Sequence, residues 1–167
     1  VPAMGILLYG LLLVVPRIDP KRANYPHFAG SYTALRVGVV LMMLAVHFTI
    51  VSAAAGRGVD TGRVVLSAIG VLFVGLGALL PRFEQNWFAG IRTPWTLSSE
   101  TVWRRTHDAG GRVFMVAGGL LAVAGATRWA WLFTVAIGWV IAGAIGLVVY
   151  SYWLWRGETG PEPRRSS

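Results

Sequence analysis

The chain has 167 residues, of which 55% are hydrophobic and only 13% are charged, and its mean hydropathy is +0.60. Soluble domains carry about a quarter charged residues and disordered chains have low hydrophobicity, so the composition excludes both classes. The formal net charge is +8 and the sequence contains no cysteine, which excludes disulfides, thiolate nucleophiles and cysteine metal sites.

Long uncharged stretches predict helices that cross a membrane, because such a helix needs about 20 mostly apolar residues. We expect an all-α bundle of about five transmembrane helices, at about residues 1–15, 32–55, 64–80, 113–126 and 129–155. The first stretch lacks the basic start and the cleavage site of a signal peptide, so it is interpreted as a membrane helix. Since the chain begins at Val1, inside an apolar run and without methionine, we expect either missing upstream sequence or an incompletely identified chain.

The basic residues are distributed unevenly over the segments between these spans. One side of the membrane would hold segments 16–31 and 81–112 and the tail 156–167, and the other side would hold two short loops. The short-loop side has Arg57, Arg63 and Arg128, whereas the other side has Arg17, Lys21, Arg22, Arg36, Arg82, Arg92, Arg104, Arg105, Arg112, Arg156, Arg164 and Arg165. By the positive-inside rule the basic side is cytoplasmic, which predicts a multi-pass protein of the bacterial inner membrane with a cytoplasmic C-terminus. Contact with anionic lipid explains the positive charge, and we expect no direct nucleic-acid binding.

The two long cytoplasmic segments share a pattern. Pro-Arg-apolar-acid begins at Pro16 and again at Pro81, and in both segments an Asn-aromatic pair and Phe-Ala-Gly follow. This similarity indicates a parallel internal repeat, as in other membrane proteins. The alternative is that helix ends at the membrane interface independently favour proline, arginine and aromatic residues.

Residues 99–109 are expected to form a short cytoplasmic helix that lies on the membrane surface. Ser98 or Ser99 is a suitable N-cap, and Glu100 would lie in the first turn. Apolar residues at helical spacing define one face, and the Gly110-Gly111 pair would end this helix before the fourth span.

Small residues recur every fourth position in the last two spans and predict that these helices pack closely as an antiparallel hairpin. The residues concerned are Gly118, Ala122 and Ala126 in one helix and Gly138, Ala142 and Gly146 in the other.

Two histidines are candidates for chemistry. His47 lies inside the second span, where it could carry a proton or bind a metal or cofactor, or could be a neutral side chain bonded to a neighbouring helix. His107 could act as an acid or base near Glu100, or could hydrogen-bond a loop carbonyl. No catalytic motif is present, so we expect no enzymatic activity, no metal and no cofactor.

The most distinctive segment runs from Asn86 to Ser98 with the sequence NWFAGIRTPWTLS, and Val102-Trp103, Thr106-His107 and Gly110-Gly111-Arg112 follow it. This segment resembles the SdpI family of bacterial membrane proteins, and the earlier stretch Leu13–Asn24, which contains Pro16–Pro20, also resembles it. The resemblance extends from Leu7 to about Tyr150. Members of the family usually have a further span and an external segment upstream of the first stretch seen here.

The resemblance implies a multi-span helical protein without enzymatic activity. Its role would be immunity, that is, protection of the producing cell from the killing peptide that the cell itself secretes. It also implies signal transduction, in which the membrane protein holds a cognate ArsR-type repressor at the cytoplasmic face. The residues that would carry the partner surface are Asn86, Gly90, Arg92, Thr93, Pro94, Trp95, Trp103 and His107. The alternative is a purely structural role, in which this segment is a rigid loop at the membrane interface that joins two spans.

Two other functions remain open at this point. The chain could be a structural accessory subunit that contacts other membrane subunits in a larger complex. It has many tryptophans, helix faces lined by small residues, and no catalytic residues. It could also be a transporter or cofactor-binding protein that uses His47. The partners considered are therefore the lipid bilayer, other membrane subunits, a repressor and a secreted toxin.

Overall fold

The computed structural model describes residues 2–159, and within this range the secondary structure is helical without strands. Val1 of the first predicted span and residues 160–167 of the predicted tail, with Arg164 and Arg165, lie outside the described residues. The α-helices are α1 (Pro2–Ile18), α2 (Ala29–Ala54), α3 (Thr61–Leu79), α4 (Pro94–Ser98), α5 (Glu100–Thr127) and α6 (Ala130–Thr159). Two 3₁₀ helices, Arg22–Phe28 and Leu80–Arg82, precede α2 and follow α3.

The predicted fold class is confirmed. Helices α2, α3, α5 and α6 are long and apolar enough to cross a membrane, and α1 is a shorter apolar helix. With 17 residues at about 1.5 Å each, α1 is roughly 26 Å long, slightly less than the hydrocarbon thickness of about 30 Å. The structure is therefore that of an all-α membrane protein.

Helix α5 begins where the sequence predicts but does not end there. The Ser99 hydroxyl accepts a hydrogen bond from the Val102 N–H at 3.2 Å, which confirms the predicted N-cap. The predicted end at Gly110-Gly111 is wrong, because α5 continues without interruption to Thr127. Both glycines are buried, and a Cβ on Gly110 would lie 2.2 Å from the Ile91 side chain. These glycines serve close packing and not helix termination.

Helices α3 and α5 are antiparallel and form the closest contact in the bundle. A Cβ on Gly77 would lie 2.6 Å from the Gly111 carbonyl oxygen, and one on Gly118 would lie 2.5 Å from the Gly70 carbonyl oxygen. Seven residues further along α5, a Cβ on Gly125 would lie 2.8 Å from the Ser67 backbone nitrogen. Glycines seven residues apart on both helices therefore let the two backbones touch.

This contact corrects the predicted pairing of the small-residue stripes. Gly118 and Ala122 contact α3, and the Ala126 carbonyl accepts a hydrogen bond from the Arg63 guanidinium at 2.9 Å. The stripe on α6 is not used: Ala142 is exposed, and a Cβ on Gly138 or Gly146 would meet nothing within 4 Å. Small residues at every fourth position identify a helix face on which another helix can pack closely, but they do not indicate which helix that is.

Helix α6 packs on α5 through a different face. Its buried residues are Leu132, Ala136, Leu147 and Ser151. Gly143 receives the Val113 side chain, and the Trp139 indole N–H donates to the Val113 carbonyl at 3.0 Å. The two helices are thus neighbours as predicted, although through other residues.

At the end of the bundle away from residues 19–28, Asp60 connects the start of α3 with the end of α5. Its carboxylate accepts from the Arg63 N–H at 3.1 Å, which caps α3, and it forms an ion pair with Arg128. Arg128 ends α5 in the left-handed conformation with φ of 61°. The hydrogen bond from Arg63 N–H, followed by the charge of Arg128, lowers the pKa of the Asp60 carboxyl below its ordinary value.

We expect the Asp60→Asn variant to lose part of the protein's stability in a pH-dependent way. Asparagine still caps the helix, so the variant removes only the charge. Because the folded-state pKa is lowered, this contribution is fully present above the ordinary value of 3.8 and is lost as the pH falls through the lower, folded pKa. Melting curves of both proteins between pH 7 and pH 2 should therefore converge only at the acidic end. A difference that stays constant throughout would contradict this assignment.

Candidate functional site

Residues 19–28 and 83–99 lie at the same end of the bundle and pack together, and we call them the cap. The Asn24 amide donates to the Gln85 carbonyl at 2.7 Å, and the Lys21 ammonium donates to the Gln85 side chain. Beneath these contacts is a buried aromatic cluster that includes Tyr25 and Phe28 from the first segment and Phe83 from the second. The two predicted cytoplasmic segments therefore form one structure.

Asp19 connects the two halves of the cap. Its side chain is only 2% exposed and accepts from the Lys21 N–H at 2.7 Å, the Tyr25 hydroxyl at 2.9 Å and the Trp87 N–H at 2.9 Å. Such charge-assisted hydrogen bonds are among the stronger ones in proteins. Glu84 occupies the corresponding position of the predicted repeat but is exposed. The two halves thus share a pattern while their acidic residues have different environments.

The Asp19→Asn variant should loosen the cap. The amide cannot accept three hydrogen bonds as the carboxylate does, and its own N–H₂ group would face a donor. We expect a loss of about 2 kcal/mol, or a melting temperature roughly 4–8 °C lower, measured by circular dichroism in detergent. Glu84→Gln is the matched control and should melt like the wild type. Equal melting temperatures for Asp19→Asn and Glu84→Gln would show that Asp19 does not join the halves.

Asn86 shapes the loop at the start of the motif. Its fully buried side chain accepts from the backbone N–H groups of Phe88 at 3.0 Å and Ala89 at 2.6 Å, and it donates to the Glu84 carbonyl at 2.9 Å. Asparagine is suited to such turns because its side chain mimics the backbone. Gly90 follows with φ of +110°, and a Cβ there would lie 2.3 Å from His107 Nε2. Only glycine fits this position without strain.

His107 and Trp103 hold the loop onto α5. His107 is fully buried; its Nε2 accepts from the Ile91 N–H at 3.0 Å, and its Nδ1 lies 2.9 Å from the Trp103 carbonyl. Nε2 therefore carries no proton, and Nδ1 is the donor of a neutral imidazole. The two rings are stacked with centroids 4.0 Å apart, and the Trp103 indole donates to the Phe83 carbonyl at 2.7 Å. Neither imidazole nitrogen is free for acid–base chemistry, and the geometry agrees with the loop-bonding alternative.

The Thr-Pro-Trp-Thr part of the motif starts α4. Thr93 and Thr96 form a capping box, in which each side chain accepts from the other's backbone N–H, and Pro94 occupies the first turn. Thr93 Oγ1 also lies 3.1 Å from the Ser151 hydroxyl of α6, and the Gln85 amide donates to the Thr96 carbonyl at 2.7 Å. This short helix therefore ties the loop to α6.

Gln85, Thr96 and Ser151 were not singled out by sequence reasoning. The spacing Thr-Pro-x-Thr from Thr93 to Thr96 is a capping-box signal that could have identified Thr96. Nothing local marks Gln85 or Ser151, because their partners lie 11 and 58 residues away in the chain.

Another part of the motif faces outward. Trp87 is 47% exposed and Phe88 is 41% exposed, and Arg92 is exposed while its guanidinium donates to the Trp87 carbonyl at 2.6 Å. Trp95 is half-buried, with its ring edge-on to Tyr152 at 5.1 Å. We call Trp87, Phe88 and Arg92 the exposed rim. The eight predicted site residues thus divide into buried residues that hold the cap together and residues at its surface.

His47 lies apart from the cap. It is half-buried on α2 and lines an apolar groove between α1 and α2, in which no other lining residue is ionisable apart from Tyr9. Among residues 2–159 no group of three or more His, Cys, Asp or Glu side chains could hold a metal ion.

Four membrane-length helices beneath a hydrogen-bonded cap define a helical integral membrane protein. The SdpI/YfhL protein family matches residues 82–151, a segment that contains all eight predicted motif residues and extends into α6. The resemblance to the SdpI family seen in the motif is therefore confirmed over this segment.

A curated relative is Immunity protein SdpI of Bacillus subtilis (strain 168), which is 34% identical over 68 residues. The matched region is 41% of this chain and 33% of the relative, so the chain matches about a third of the relative's length. No solved structure matches the chain significantly.

Proposed function

We propose that this chain is an SdpI-like membrane immunity protein without catalytic activity, and that the exposed rim of its cap is the surface that contacts a partner. Similarity to an immunity protein supports the first part. On this proposal the cap is cytoplasmic, as the excess of basic residues at its end of the bundle suggests. The partner is then a repressor of the ArsR type, and the secreted killing peptide is the signal.

The proposal of a partner surface rests on one observation, which is that the rim is exposed while other residues of the same motif are buried and hydrogen-bonded, namely Asn86, Thr93, Thr96, Trp103 and His107. Tryptophan and arginine are the residues most enriched where binding energy concentrates in protein interfaces. The hydrogen bond from Arg92 to the Trp87 carbonyl holds the rim in one arrangement. Such preorganisation reduces the entropy lost on binding.

The test is a survival assay in Bacillus subtilis cells that lack Immunity protein SdpI and are exposed to their own killing peptide. Cells that express the full-length wild-type protein should survive better than cells with an empty vector. Trp87→Ala and Arg92→Ala should each reduce this protection at least about tenfold, the effect of removing roughly 1.4 kcal/mol of binding free energy.

Arg104→Ala is the matched control, because Arg104 is also exposed but lies on α5 outside the rim. It should protect like the wild type. All variants are compared at equal membrane levels and melting temperatures. No protection by a well-inserted wild-type protein would argue against the immunity function, and full protection by both rim variants would argue against the rim as partner surface.

A second candidate function is supported by α6. Its stripe of Gly138, Ala142 and Gly146 has no neighbour within the described residues, and small residues in lipid allow another helix to approach closely. This favours an accessory subunit in a larger membrane complex. Native mass spectrometry after gentle purification from native membranes tests it: a stoichiometric complex with other membrane subunits supports this function, and a free chain contradicts it.

A further inference from the structure

A groove with a volume of about 570 Å³ runs along the surface of the bundle between α1 and α2. Gly5, Ile6 and Tyr9 line it from α1, and residues from Val37 to His47 line it from α2. The α2 wall is about 15 Å long at 1.5 Å per residue, close to half the hydrocarbon thickness of a bilayer. The groove therefore has the length and polarity of one acyl chain within one leaflet.

Arg36 lies next to the α2 end of this groove, one residue before Val37. Its guanidinium is located between two tyrosine rings, 5.8 Å from the centre of Tyr9 and 5.6 Å from that of Tyr32. These contacts orient the cation and are favourable, but they do not neutralise its charge.

The hydrogen-bonding capacity of Arg36 is largely unused. One terminal nitrogen donates to the Thr33 hydroxyl at 2.9 Å, whereas the Nε atom is buried and has no partner within the described residues. The ion pair found among residues 2–159 is formed by Arg128 and Asp60, so no described carboxylate compensates Arg36. A buried donor without a partner is costly, and a cation in a membrane helix is stabilised by an anionic partner.

We propose that this groove is a specific site for an anionic phospholipid, with one acyl chain along α1 and α2 and the phosphate on the Arg36 guanidinium. Guanidinium and phosphate match in charge and in the geometry of paired N–H donors. The tyrosines hold the guanidinium in place, and the glycine at position 5 leaves room for the chain. This site is separate from the cap and does not depend on the proposed immunity function.

The test uses native mass spectrometry of the delipidated full chain with added dioleoyl phosphatidylglycerol or dioleoyl phosphatidylcholine, which have the same acyl chains. The wild type should bind one phosphatidylglycerol about tenfold more tightly than phosphatidylcholine, as expected for a charge-assisted pair. Arg36→Gln should abolish this preference, while Arg36→Lys, which keeps the charge but not the paired donors, should retain part of it.

Two further variants test the groove itself. Gly5→Leu fills it and should weaken binding of both lipids, whereas Gly10→Leu, on the same helix with open space at its Cβ, should not. Arg22→Gln removes an exposed arginine outside the groove and controls for net charge. Equal binding of the two lipids by the wild type, or an unchanged preference in Arg36→Gln, would overturn the proposal. Melting temperatures of all variants show whether a loss of binding reflects unfolding.

Discussion

The Gly118→Leu variant is expected to push α3 and α5 apart and to lower the stability of the protein. A Cβ at this position would lie 2.5 Å from the Gly70 carbonyl oxygen and 2.6 Å from the Val74 backbone nitrogen. Backbone atoms cannot move aside as a flexible side chain can, so the cost is at the upper end for overpacking, about 3 kcal/mol. The measurement is the melting temperature in detergent, which should fall by roughly 6–12 °C.

Gly119→Leu is the matched control for this prediction. It is the next residue on the same helix, but a Cβ there meets nothing within 4 Å. Gly119→Leu therefore has the same gain in helix propensity as Gly118→Leu but no clash with α3. Its melting temperature should be close to that of the wild type. Similar melting temperatures for the two variants would mean that α3 and α5 do not touch at Gly118.

The Trp103→Ala variant is expected to collapse the cap. Trp103 is 1% exposed, stacks on His107 and donates its indole N–H to the Phe83 carbonyl. Truncation of a buried tryptophan costs about 4 kcal/mol through the cavity and the lost contacts. We expect the melting temperature to fall by roughly 8–16 °C and the loop after Phe83 to become sensitive to proteases.

Two comparisons separate the parts of this effect. Trp103→Phe keeps an aromatic ring beside His107 but removes the N–H donor, so it should lose about 1–3 kcal/mol. Trp153→Ala removes a tryptophan that is 69% exposed and should change the melting temperature little. If Trp103→Ala were no more harmful than Trp153→Ala, the cap would not depend on this side chain.

Much of the candidate site was visible in the sequence, but the roles of its residues were not. The motif from Asn86 to His107 was recognisable because its residue types are unusual and closely spaced. Its division into buried and exposed residues could not be predicted, because burial of His107 depends on Ile91 and Gly90 folding back over α5. The central role of Asp19 was missed for the same reason, since its partner Trp87 is 68 residues away.

The helix pairing shows the same limit. The stripe at Gly118 was detected correctly as a close-packing face, but its partner was wrongly expected on α6. The matching glycines, Gly70 and Gly77, lie on α3 seven residues apart, and their match is apparent only once the two helices are aligned in opposite directions. The Gly110-Gly111 pair was likewise interpreted by its local tendency to end helices, whereas packing against Ile91 and Gly77 explains it.

The sequence by itself determined that this is an all-α membrane protein and that Ser99 caps α5. These properties depend on the length of apolar runs relative to the bilayer and on contacts between residues a few positions apart. Only the tertiary structure decided that α3 pairs with α5 and that the cap joins two distant segments. It also decided that Arg36 lies beside an apolar groove with an Nε atom that has no partner among residues 2–159. Those features depend on residues far apart in the chain, and a local pattern does not contain the direction or distance of a partner.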